Sequence, residues 1–193
     1  MKLADTKHIN FAPIKGRSLH NRFGQDKKIF WEFTSKLEED QTTHHESTVF
    51  ITTCYLYETL ANTEVCIDTD LYDENINQKT CTAKDISLND QGAPVAVNKI
   101  ELDMIPIDEQ NVKPIFKIYI KNIGNGKVLY KNSIKKACMG ETLTKELDMD
   151  YVSIEAKLGD DTLECSPTPL HLEKNTDYVR CWLKAGIQKD RIT

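Results

Sequence analysis

Six cysteines, Cys54, Cys66, Cys81, Cys138, Cys165 and Cys181, carry the plainest chemistry in this 193-residue chain. An even number among β-branched and aromatic runs points to disulfides, and so to an oxidising compartment. None stands in a C-x-x-C pair, which leaves a zinc ribbon or a thioredoxin-like site without support. The alternative is buried free thiols packing as small hydrophobes. Oxygen ligands gather at Asp68-Thr-Asp70-Leu-Tyr-Asp73-Glu74-Asn75. Asp68, Asp70 and Asp73 are the calcium candidates, set against an ordinary acidic loop between strands. The stretch departs from the EF-hand, because Asp73 stands where glycine is required and Lys79 where a bidentate Glu belongs. His44-His45-Glu46 is a second cluster, but neighbouring residues on a strand point to opposite faces, so two imidazoles share a metal there only in a loop. Trp31, Trp182, Tyr55 and Tyr57 have the rings for a carbohydrate-stacking platform, although aromatics at alternate strand positions more often make core or cross-strand pairs. There is no G-x-S-x-G or H-E-x-x-H, and the one G-x-G, at Gly124 and Gly126, lacks the third glycine and following helix of a phosphate loop. The expectation is a protein that is not an enzyme and has no cofactor beyond calcium in that acidic loop.

Charge narrows the partners. The net charge is −5, and no basic tract interleaved with aromatics speaks for nucleic acid. Residues 1–36 hold eight Lys/Arg against three Asp/Glu, residues 37–92 two against twelve, and residues 93–193 fifteen of each. A basic arm followed by an acidic section lets copies attract head to tail; the plainer reading is a solvated surface. The segment MKLADTKHINFAPIKGRSL has no signal-peptide core, and no stretch reaches the roughly 18–20 apolar residues of a membrane span. The simplest expectation is a processed or trimmed piece of a longer chain, against a cytosolic protein with reduced cysteines. N-x-Ser/Thr sequons are absent and give no vote for secretion.

The elements that must position these residues read as strands. Ile29–Ser35 places Ile29, Trp31 and Phe33 on one face, and Val49–Tyr57 is β-branched and aromatic. Glu64–Asp68 continues after a polar break, and Leu71–Thr80 reads as a loop. Period-two alternation recurs over Lys99–Met104, Phe116–Ile120, Val152–Leu158 and Tyr178–Ala185. One weak helix is expected over Lys136–Leu147, interrupted by Gly140. Turns fall at Asn125-Gly126, a strong short hairpin signal set against a merely irregular loop, at Gly159-Asp160 and at Lys174-Asn175. Asn122 and Gly124 handle the preceding strand exit as residues that tolerate positive φ. A Gly/Pro junction near Asp90–Pro94 marks a boundary. The fold expected is all-β: two immunoglobulin-like antiparallel β-sandwiches in tandem, at 29–92 and 93–193, behind an irregular N-terminal arm at 1–28.

PIFKIYIKNIGNGKV (114–128) resembles the core strand and turn of CARDB-type domains, the immunoglobulin-like, adhesion-related sandwiches of prokaryotic cell surfaces. CYLYETLANTEVCID, QGAPVAVNKIELDMIP and LECSPTPLHLEKNTDYVRCWL extend the likeness, over about residues 29–185, to tandem sandwich proteins of archaeal cell envelopes. The resemblance implies a fold and an extracellular or cell-surface location, not a reaction.

Six cysteines allow fifteen connectivities, and strand parity favours one pair among them. Cys165 shares the parity of Leu163, and Cys181 lies on the inward set of the last strand; a bridge between them closes a loop of about 16 residues, worth about 3 kcal/mol. Cys54 and Cys66 flank a hairpin centred near Leu60. That leaves Cys81 with Cys138, tying the two domains together. Two functional classes follow. One is a structural or adhesive envelope protein, an ectodomain or surface-filament subunit, whose copies can pair through a donated strand, with the N-terminal arm as the candidate donor against a merely flexible terminus. The other is an accessory module that binds glycan or calcium without catalysis.

Overall fold

Strand β2 (Val95–Pro106) and strand β3 (Asn111–Asn122) form the long antiparallel hairpin around which the rest is built. The computed structural model describes residues 12–17, 21–30, 46, 48, 52–69, 81–172, 174 and 176–188. By contacts the chain divides into two units, residues 1–53 and 54–193.

In the first unit the Asn21 carbonyl and side chain both accept the N–H of Gly24, whose φ of 72° suits the residue without a Cβ. Lys15 and Gln25 close this turn: the Gln25 N–H donates to the Lys15 carbonyl at 2.9 Å, and the Lys15 N–H to Gln25 Oε1 at 3.0 Å.

In the second unit the sheet runs β1-β2-β3-β9-β7, all antiparallel, with β1 at Ile86–Ser87, β7 at Glu164–Ser166 and β9 at Thr176–Trp182. Strand β10 (Ile187–Gln188) pairs with the start of β3 beside β9. Two short pairs accompany the sheet: β4 (Tyr151–Val152) with β8 (Leu170–His171), and β5 (Lys157–Leu158) with β6 (Asp161–Thr162). Phe116, Ile120, Val179 and Cys181 of the sheet bury themselves with Leu163, Leu170 and Leu172, and Val65, Ile67, Val152, Ile154 and Leu158 pack against this cluster. Alternation explains it: even-numbered β3 residues face the core, odd-numbered ones the opposite face.

The protein is therefore mostly β with antiparallel sheets, and period two correctly marked β2, β3 and β9. Several local expectations need correction. The chain does not turn back along β3 at Asn125-Gly126; β3 already has β2 and β9 as neighbours. The turn that reverses the chain is Ile107–Gln110, where Asp108 Oδ1 accepts the N–H groups of Gln110 and Asn111 at 2.8 and 2.7 Å. Neither Asn122 nor Gly124 has positive φ. Gly124 is small because a Cβ there would lie 2.9 Å from that of Pro94, whose carbonyl accepts the Ile123 and Gly124 N–H groups. Val152–Leu158 is broken into β4 and β5. The expected helix becomes two short ones, α1 (Ile134–Cys138) and α2 (Lys145–Asp148). Gly140, at φ 73°, ends α1: its N–H reaches the Ala137 carbonyl and that of Glu141 the Lys136 carbonyl.

The expected strands of the 29–92 region fare differently. Residues 52–69 join no ladder, and Ile29 and Phe30 join none either; residues 31–35 and 49–51 lie outside the described part, as does the expected loop from Leu71 to Thr80. Strand β1 stands before the Asp90–Pro94 junction and pairs with β2 beyond it, so that junction is a turn within the second unit.

Candidate interaction surfaces

All six cysteines are bridged. Cys165 and Cys181 are direct partners in the β7–β9 ladder, with Cα atoms 4.1 Å apart, as the parity of their strands requires. The other two pairings differ from expectation. Cys66 joins Cys81 and Cys54 joins Cys138 of α1, each with Cα atoms 6.0 Å apart. The expected Cys54–Cys66 bridge needed a hairpin at Leu60, and the segment between them runs without one. No thiol is left free.

The outer face of the sheet is polar and ordered by cross-strand register. Lys99 Nζ lies 2.8 Å from Asp85 and 2.7 Å from Glu101; Lys117 Nζ lies 2.8 Å from Asp103 and 3.9 Å from Glu101. The Asp85 carboxylate, then that of Glu101, raises the Lys99 pKa well above the lysine range. Lys99 in turn holds the Glu101 carboxyl below its usual value, and Asp103 raises that of Lys117. The Tyr119 hydroxyl donates to Glu101 at 3.0 Å, and desolvation, then that bond, pushes its pKa up. Toward β9 the face becomes aromatic and cationic. Tyr119 and Tyr178, opposite each other, have ring centroids 5.3 Å apart. The Arg180 guanidinium lies 5.3 Å from the Tyr178 ring, and Lys113 Nζ lies 5.2 Å from that of Trp182.

A third feature is the segment Cys54–Leu60. Tyr55 and Tyr57 contact each other edge-to-face at 6.1 Å. The segment is moored by the Cys54–Cys138 bridge and by the Thr59 hydroxyl, which donates to the Val95 carbonyl at 2.7 Å. Tyr55, Leu56, Tyr57 and Leu60 are 61, 75, 45 and 86% exposed.

Of the predicted site residues, Trp182 sits on the outer sheet face and Tyr55 and Tyr57 on the moored segment. Trp31, His44 and His45 lie outside the described residues, as do Asp70 and Asp73 of the calcium candidate; Asp68 is half-buried. No cluster of three His, Cys, Asp or Glu side chains suited to a metal occurs among the described residues. Among them, too, no helix is long and apolar enough to cross a membrane.

Sequence reasoning missed two polar devices. Gln91 brackets the main chain of Val97: its Nε2 donates to the Val97 carbonyl and its Oε1 accepts the Val97 N–H, both at 2.9 Å. The amide thereby takes a strand's place beside β2, just before the register shift at Asn98. Asp148 is a buried carboxylate that accepts the Ser133 hydroxyl, the Thr144 N–H at 2.9 Å and Lys136 Nζ at 3.5 Å. The Ser133 hydroxyl, then the Thr144 N–H, holds its pKa below the usual aspartate range. Both sit in stretches without periodicity, where partners are fixed only by the tertiary fold.

No protein-family model matches the chain, and no curated protein and no solved structure matches it either.

Proposed function

We propose that this is a non-catalytic structural or adhesive protein of the cell exterior, acting through protein–protein contacts that include contacts between its own copies. The observation that carries this reading is that all six cysteines are bridged across an antiparallel β unit. Such bridges persist in oxidising compartments. The resemblance to CARDB-type surface sandwiches points the same way, as do the tandem sandwich arrangement it implies and the opposed charges of residues 1–36 and 37–92. Protease added to intact source cells tests the location. The expected result is loss of the protein without loss of a cytosolic marker; protection until lysis contradicts an exterior site.

A second reading, an accessory glycan-binding module, is favoured by the Tyr178–Arg180–Trp182 row with Lys113 beside it. Rings stack on sugar faces, and cations favour acidic sugars. Titrating the chain with a polyuronate oligosaccharide checks it: binding that is lost in Trp182→Ala and Arg180→Gln supports this module, and no heat of binding removes it.

A further inference from the structure

The segment Cys54–Leu60 is a contradiction that the single chain leaves standing. Its sequence, CYLYETL, is that of a strand, yet it joins no ladder. The Tyr55 and Tyr57 rings lie against each other, and Tyr55, Leu56, Tyr57 and Leu60 are all exposed. So large an apolar stretch in water marks a contact surface rather than scattered surface residues. Its ends are already fixed, by Cys138 at one and by the Val95 carbonyl at the other. An incoming strand therefore meets a backbone whose ordering cost has largely been met.

Charge identifies the occupant. The segment lies in the stretch 37–92, which holds twelve acidic residues against two basic. The chain's own residues 21–30, NRFGQDKKIF, carry the complementary features. Arg22, Lys27 and Lys28 are exposed, and so are Phe23 and Phe30, at 94 and 82%. Gln25–Phe30 joins no ladder either. The geometry points to Cys54–Leu60 as the acceptor edge on which residues 25–30 of a second copy add as a strand, main chain to main chain, with Phe30 against the exposed tyrosines and leucines. The contact is head-to-tail: donor and acceptor are different surfaces, so each bound copy presents a further free acceptor and the assembly grows as a filament unless its rotation closes a ring. This rests on the self-association in the proposed function and names the surfaces that perform it.

The test uses the full, oxidised chain in sedimentation velocity at low and high salt. Wild type is expected to associate with rising concentration, less so at high salt. Two variants each remove one side, Leu56→Ser/Leu60→Ser the apolar acceptor and Lys27→Glu/Lys28→Glu the donor, all at exposed positions that leave the core untouched. Each alone is expected to weaken association about a hundredfold. Mixed, they still hold one intact donor and one intact acceptor between them, so a 1:1 pair reappears that does not grow. Association of Leu56→Ser/Leu60→Ser at wild-type strength, or a mixture that stays monomeric, overturns the assignment while self-association itself stands. A wild-type chain that is monomeric at every concentration overturns both.

Discussion

At the scale of single residues, one buried and one half-buried polar contact tie down stretches whose partners lie elsewhere in the fold. Asp148 ties the Ser133 turn to the start of α2. Its pKa is depressed in the folded chain, so the unfolded chain takes up the proton first. The stability it supplies is fully present above the ordinary aspartate value of about 3.9 and is lost as pH falls through the lower folded value. Asp148→Asn should therefore be less stable than wild type at neutral pH, with a gap that narrows toward pH 3 in chemical denaturation. A gap independent of pH would show that the charge is not what Asp148 contributes. Gln91→Ala leaves the Val97 N–H and carbonyl without their amide partners and is expected to cost about 1–3 kcal/mol, read from the denaturation midpoint. By contrast, Asp85 is the exposed end of the outer charge ladder, and Asp85→Asn should shift the melting temperature by no more than about 2 °C.

At the scale of elements, the disulfides differ in what they constrain. Cys165–Cys181 joins residues 16 apart in sequence, and its loss in Cys165→Ala/Cys181→Ala should cost about 3 kcal/mol. Cys54–Cys138 spans 84 residues and closes the larger loop, so Cys54→Ala/Cys138→Ala should cost about 4.5 kcal/mol. Guanidinium titration of the two variants checks the order, and an inverted order would mean that the long loop is already restrained in the unfolded chain. The contrast also marks what could be read in advance. Cys165–Cys181 was legible because both residues sit on periodic strands whose parity decides which side chains meet. Cys54 and Cys66 lie in a segment with strand composition but no ladder, so the hairpin assumed between them supplied the wrong partner. The β2–β3 hairpin was hidden for a similar reason. Its turn depends on one Asp side chain, while the louder Asn125-Gly126 signal falls where β3 already has neighbours on both edges.

At the scale of the whole molecule, the second unit combines a core-facing side, a salt-bridged outer side with an aromatic, cationic flank, and a moored segment that carries exposed aromatic and aliphatic side chains. Composition and alternation made the β class and the bridged cysteines readable. The charge blocks of the chain were equally plain, but the acceptor segment was not, because strand propensity looks the same whether or not a strand has a partner. On the proposed reading the chain is a disulfide-stapled scaffold matured in an oxidising compartment. The most direct measurement is non-reducing peptide mass mapping of protein taken from its native source and alkylated before any reduction. The expected result is no alkylated cysteine and three linked peptide pairs, Cys54 with Cys138, Cys66 with Cys81 and Cys165 with Cys181. Six alkylated thiols would contradict the account, removing the exterior location and the structural role argued from it.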